Sequence, residues 1–260
     1  MRFIVALLAA IALIGGTAAA EPGATTAPAP PAPECEVPDS LLTTDSDLAR
    51  VTKEVKNRHR LDISVIGTGS SALPGPEGAH FAYPARLEDT LKERLPGIDV
   101  KVTAHVRTRE ITADMVAGLK KILADDKPAL VIWQAGTADA LSGVDTDEFR
   151  SSLDNGVDAI QGAGADVILM NMQYSPRTES MLDVTSYADA MHLVAQQHDA
   201  LLFDRLAIMH YWNDAGIFDL YTATKDYDMA RRVHDCIGRA LASQIVNAAH
   251  LDAERMQITR

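Results

Sequence analysis

Ala129-Leu130-Val131-Ile132-Trp133 runs straight into Gln134-Ala135-Gly136-Thr137-Ala138-Asp139. Five apolar residues without alternation read as a strand buried on both faces, the kind found inside a parallel sheet. Glycine and small polar residues then stop the strand abruptly. A parallel strand needs a long crossover to its neighbour, and that crossover is normally a helix.

The chain on either side follows this pattern. Short β-rich runs occur at 61–67, 99–102, 167–170 and 201–203. Between them, helical spacing covers 84–95, where Leu87, Leu91 and Leu95 form one stripe, and then 111–124, 146–163 and 186–198. A long helical stretch at 230–249 closes the chain. Strands alternating with helices of this length predict an α/β fold. Its form is a three-layer α/β/α sandwich around a five-stranded parallel, flavodoxin-like sheet. Such sheets bind ligands beyond the carboxyl ends of their strands, so the residues just after each strand are the ones to inspect.

Composition limits the chemistry. The 260 residues are 47% hydrophobic and 23% charged, enough for one domain of this type, with a net charge of -12. That charge leaves no basic footprint for nucleic acid. No His/Cys/Asp/Glu grouping has metal-ligand spacing, so no metal and no cofactor are expected.

The first twenty residues read as a targeting segment. Arg2 is followed by an apolar stretch at 3–14, and Ala18-Ala19-Ala20 precedes Glu21 as a small-residue cleavage site. Residues 21–34 form a Pro/Ala-rich linker, and 35–260 are the domain. These features predict a periplasmic or secreted protein with no transmembrane span in its mature form. In that compartment the two cysteines, Cys35 and Cys236, are expected to be bonded rather than two separate buried thiols.

After the first strand comes Gly67-Thr68-Gly69-Ser70-Ser71-Ala72. Read as a dinucleotide loop it fails, because Pro74-Gly75-Pro76 stops a helix from starting where a pyrophosphate would need one. A wider set of motifs fits better. Cys35-Glu36-Val37-Pro38, Ile66-Gly67, Tyr83-Pro84-Ala85-Arg86-Leu87, Val131-Ile132-Trp133-Gln134, Gly136-Thr137, Gln173-Tyr174, Met229 and Cys236 follow one another in order. In this the chain resembles the SGNH, or GDSL-type, ester hydrolases, and in particular an exported bacterial branch of them.

The resemblance implies a fold and a cleft, and it also implies altered chemistry. The family's nucleophilic serine falls on Gly69. Its second block, a glycine amide donating to the oxyanion, falls in His105-Val106-Arg107-Thr108-Arg109, with Val106 and no glycine. Its third-block asparagine falls on Ala138. With the last block anchored on Met229 and Cys236, its aspartate falls on Lys225 and its histidine on Asp228.

Acyl transfer needs an activated hydroxyl, an adjacent base and oxyanion donors. An aspartate with an ordinary pKa near 4 is a poor proton shuttle at neutral pH. The expected function is therefore that of a catalytically degenerate relative. It would bind a carbohydrate or acyl-ester ligand, or a cell-envelope protein. The alternative is a divergent esterase or deacetylase using Ser70 or Ser71, with His234 as the nearest base.

Gly69, Gln134, Gly136, Thr137, Ala138, Gln173, Tyr174 and Asp228 are the expected cleft residues. Arg107 and Arg109 read first as a solvated loop, and otherwise as a positive lip on the cleft for an acidic ligand. Asp189-Ala190-Met191-His192 mimics an Asp-x-x-His motif, but it precedes strand five and reads as a surface pair one helical turn apart. Trp133 is expected in the core, and Trp212 beside the cleft or on the surface.

Overall fold

The computed structural model describes residues 34–43, 45–222 and 227–251. The expected leader at 1–20, most of the linker and Lys225 lie outside the described residues. The strands are β1 (Arg60–Gly67), β2 (Asp99–Val106), β3 (Leu130–Gln134), β4 (Asp166–Met170) and β5 (Leu201–Phe203). The helices before β3 are α1 (Ala49–Arg58), α2 (Gly78–Phe81), α3 (Tyr83–Arg94) and α4 (Thr112–Asp126). Those after it are α5 (Thr137–Ser142), α6 (Thr146–Gly162), α7 (Pro176–Glu179), α8 (Val184–Gln197), α9 (Arg205–Asp214) and α10 (Asp228–Ala248).

All strand pairs are parallel, in the order β2-β1-β3-β4-β5. The period of two in each strand sorts side chains into two cores. Leu61, Ile63 and Val65, Leu130 and Ile132, Ile168 and Met170, and Leu201 and Phe203 face α1, α3, α9 and α10. Ile66, Val131 and Trp133, and Val167 and Leu169 face α4, α6 and α8. The result is a three-layer α/β/α sandwich, as the alternation of elements predicts.

Trp133 anchors the second core. Its ring is fully buried, and its Nε1–H donates to Met115 Sδ at 3.1 Å. Burying such a ring stabilises by roughly 4–6 kcal/mol at about 25 cal/mol per Å². Helix α6 can approach it because residue 156 is glycine: a Cβ there would lie 2.2 Å from the ring.

Cys35 and Cys236 form a disulfide, with Cα atoms 4.7 Å apart and a sequence separation of 201. The bond ties the start of the described chain to the middle of α10. Trp212 belongs to the same region, and its expected place beside the cleft or on the surface is corrected. It is fully buried, donates from Nε1 to the Glu36 carbonyl at 2.9 Å, and meets Phe218 edge-on. Asp189 and His192 are exposed on α8, and the His192 ring shares a hydrogen bond with Gln196 rather than with Asp189.

Strand β2 runs to Val106, beyond the expected 99–102, and pairs with β1 along its full length. It is an edge strand, half exposed, so Lys101, Thr103 and His105 can occupy it without an apolar run. Helices α1 and α9 were not legible in the apolar periodicity. Helix α1 buries only Val51 and Val55. Among the described residues no helix is long and apolar enough to cross a membrane.

Strand order fixes where a site can form. From β1 the chain moves outward to β2, then returns to β3 on the other side. The loops after β1 and β3 therefore part at this switch point, leaving a crevice at the carboxyl ends.

Candidate functional site

The loop after β1 turns sharply. Thr68 follows the strand and precedes Gly69–Ser71, which form a single 3-10 turn. The turn folds back onto Gly67, where a Cβ would lie 2.3 Å from Ser71 Oγ and would force the Ser71 side chain to move. Gly69 is exposed at the top of the turn. A Cβ on it would meet nothing closer than Thr108 Cγ2 at 3.7 Å.

Gln134, the last residue of β3, holds this turn from below. Its Oε1 accepts from the Thr68 N–H at 3.0 Å and from the hydroxyls of Thr68 (3.1 Å), Ser71 (3.1 Å) and Ser70 (3.3 Å). A carbonyl oxygen has two lone pairs, so these hydroxyls compete for it. Ser71 has a second partner in the Tyr83 hydroxyl at 3.0 Å. Both Ser71 and Tyr83 are buried. A groove of about 440 Å³ opens beside Ser71, walled by Ala72, His80, Ala82, Pro84 and Val106.

The block after β3 is equally constrained. Gly136 sits at φ 96°, where L side chains are strained, and a Cβ on it would lie 2.4 Å from Met172 Sδ. Ala138 and Asp139 are buried in α5. Asp139 accepts from the Thr112 N–H and hydroxyl, both at 2.9 Å, and so joins this block to the start of α4.

His234 lies in α10 and is buried. Its Nδ1 accepts the Tyr83 N–H at 3.0 Å. Tyr83 is the first residue of α3, so the imidazole satisfies one of that helix's unpaired N–H groups. With Nδ1 accepting, the neutral ring carries its proton on Nε2. A base for serine would need the opposite tautomer. Among the described residues no hydrogen bond joins Ser70 or Ser71 to His234.

Burial, with the charge of Arg205 added, pushes the His234 pKa down to about 3 from 6.5. Between those values the unfolded chain binds more protons than the folded one. This contribution to stability is therefore complete above about pH 6.5 and is lost as pH falls toward 3, by at most about 1.4 kcal/mol per pH unit. His234→Gln keeps an acceptor for the Tyr83 N–H and removes the titration. Urea unfolding between pH 4 and pH 7, the range set by these values, should give a flatter stability profile for the variant. An unchanged slope would contradict this assignment.

Arg205 is the site residue that reading the sequence missed. It comes two positions after β5, where the rule of inspecting strand ends would have found it. Asp204 caps α9 by accepting the Ala207 N–H at 2.9 Å, and it also takes a hydrogen bond from Asn171 Nδ2 at 2.8 Å. This fixes the Arg205 side chain beneath the turn, fully buried. Its Nη1 donates to the Ser70 carbonyl at 3.1 Å and its Nη2 to Gln173 Oε1 at 3.1 Å.

The structure thus gathers Ser70, Ser71, Gln134 and Gln173 around Tyr83 and Arg205. Gly136 and Ala138 pack in the block after β3, and Thr137 is half-buried beside them. Tyr174 is buried, its ring stacked on His210 with centroids 3.7 Å apart. Asp228 is exposed in the first turn of α10, 3.7 Å from Arg231. Arg107 is exposed and paired with Glu110 at 3.0 Å, and Arg109 is exposed beside it.

Known proteins share this architecture. The family described as "Non-GDSL lipase-like family" matches residues 34–251. The esterase TesA of Pseudomonas aeruginosa is 29% identical over 112 residues, which is 43% of this chain and 54% of that enzyme. The chain therefore matches about half the length of this curated relative. A crystal structure of TesA superposes with a TM-score of 0.55 at 22% identity, covering 70% of this chain and 99% of that one. An acetylxylan esterase from Geobacillus stearothermophilus gives a TM-score of 0.55 at 16% identity, covering 74% and 95%. At such identities these two structures speak for the fold. The family match extends from Glu34, beside the disulfide, to Leu251, just beyond α10, and takes in every strand: the chain belongs to the non-GDSL lipase-like family.

Proposed function

We propose that this chain is an exported domain that keeps an ester-hydrolase cleft and has lost serine catalysis, acting instead by binding. The observation that carries this reading is the pairing of Gly69, which has no hydroxyl, with a His234 whose Nδ1 is engaged by the Tyr83 N–H. A serine is a weak nucleophile without a base in hydrogen-bond reach. Here Ser70 and Ser71 bond to Gln134, Tyr83 and Arg205, none of which accepts a proton readily. Burial raises the Tyr83 pKa above the usual phenol value, against the opposing effects of Ser71 and Arg205, so Tyr83 stays protonated.

Export is part of the proposal. The leader-like 1–20 and the Cys35–Cys236 bond support it, since such bonds persist in oxidising compartments. The ligand class is a carbohydrate or acyl ester, with a cell-envelope protein as the other candidate partner. The named relatives act as esterases, which favours the former.

A second reading keeps catalysis and moves the nucleophile to Ser70. Its support is that Ser70 is only half-buried and that its Oγ lies 3.5 Å from the Arg205 guanidinium. Hydrolysis of a fluorogenic butyrate ester separates the two. The binding reading expects no turnover above that of the Ser70→Ala and Ser71→Ala variants. Turnover abolished by either substitution would replace it with the second.

A further inference from the structure

We propose that the cleft takes a ligand bearing a carboxylate, which pairs side-on with the Nε and Nη2 of the buried Arg205. The inference rests on the binding reading above and names the ligand class for it.

A buried guanidinium is normally matched by an anion, because an unpaired interior charge costs several kcal/mol. Arg205 has no exposed surface, and its partners are all neutral. Nη1 reaches the Ser70 carbonyl at 3.1 Å and Ser70 Oγ at 3.5 Å, and Nη2 reaches Gln173 Oε1 at 3.1 Å. The Tyr83 ring centroid lies 5.8 Å from Cζ. Nε has no partner among the described residues. The carboxylate next in sequence, Asp204, is taken up in capping α9 and bonding Asn171. Burial lowers the Arg205 pKa to about 10, with Tyr83 opposing, as expected for a cation without a counter-charge; at neutral pH it remains charged.

The geometry also selects the ligand. Nε–H and one Nη2–H lie side by side on one edge of the planar group, spaced for the two oxygens of a carboxylate. Among the described residues the hydrogen bond from Nη2 to Gln173 Oε1 is the one given on that edge, and Nε is buried without a partner. Gln173 is half-buried in the irregular segment between β4 and α7, and a ligand on that edge requires its side chain to turn away. Two further buried polar atoms lack protein partners near the end of β3: Gln134 Nε2, a donor only, and Thr137 Oγ1. Thr68, Ser70, Ser71, Tyr83, Gln134 and Gln173, which surround the guanidinium and the turn above it, include no acid. A single cation matches a monoanion. A phosphate would bring a second charge into a chain already at -12.

The test is titration of the full chain with sodium acetate at constant ionic strength. Acetamide serves as the neutral isostere and inorganic phosphate as the alternative anion. Melting temperature and the Arg205 Nε–H resonance are followed together. Acetate should raise the former and shift the latter, and acetamide should do neither. Gln173→Glu supplies the counter-charge from within: it should raise the melting temperature without ligand and abolish the response to acetate. Arg205→Lys, lacking the paired edge, should weaken acetate binding about tenfold. If that variant fails to fold, Gln173→Glu carries the test alone.

A full acetate response in Gln173→Glu, stronger binding of phosphate than acetate, or no response of the wild type to acetate would overturn the inference. Acetamide binding without acetate binding overturns the charge assignment and leaves the binding reading standing. Serine-dependent ester turnover would overturn that reading while the acetate response could still be read.

Discussion

Gly69→Ser, Ala138→Asn, Lys225→Asp and Asp228→His together should hydrolyse a fluorogenic acetate ester about 10²-fold or more faster than Gly69→Ser alone. The single variant should gain nothing measurable. There is room for its hydroxyl, since a Cβ at 69 meets nothing closer than Thr108 Cγ2 at 3.7 Å. What it lacks is a base, because His234 Nδ1 is engaged with α3. The Asp228 position is exposed in the first turn of α10, where an imidazole stays solvated. An asparagine at 138 restores one oxyanion donor, a group whose loss typically costs about 10²–10³ in rate. Members of such a unit act together, so the gain should far exceed the product of single effects. The glycine of the second block, replaced here by Val106, stays missing, and activity should remain well below that of an intact esterase. A combined variant no faster than Gly69→Ser would show that the motif register at Met229 and Cys236 is misplaced.

The second large effect belongs to the disulfide. It closes a loop of 201 residues, for which the chain-entropy account gives about 5 kcal/mol as an upper estimate. Cys236 is also fully buried in α10, so Cys236→Ala leaves Cys35 unpaired against the same core. For a domain of this size each kcal/mol moves the melting temperature by about 2–4 °C, so a drop of about 10–20 °C is expected. Differential scanning calorimetry of Cys236→Ala, and of wild type in reductant, checks it. The variant and the reduced wild type both melting within a degree or two of the oxidised wild type would mean that the bond contributes little.

The fold was legible because each interior strand is a short apolar run and each long helix carries an apolar stripe. Val131-Ile132-Trp133 and Leu87-Leu91-Leu95 are plain examples. What escaped were elements whose burial is slight or one-sided. Strand β2 is an edge with polar residues on its open face, and α1 buries only Val51 and Val55.

The site was legible at its glycines and at Gln134, because a tight turn after a strand leaves a sequence signature. Arg205 was not, since a charged residue opening a helix reads as solvated. Only the tertiary structure buries it, by laying the turn of Gly69–Ser71 and Gln173 over it. The role of His234 was hidden for the same reason: its partner, the Tyr83 N–H, lies 151 residues away in sequence.

Loss of serine catalysis, as proposed, requires that no serine here is activated. Incubating the full chain with a fluorophosphonate, which labels only an activated serine, and weighing the intact protein tests this most directly. The mass should be unchanged at saturating reagent. A stoichiometric adduct that peptide mapping places on Ser70 or Ser71 would contradict it.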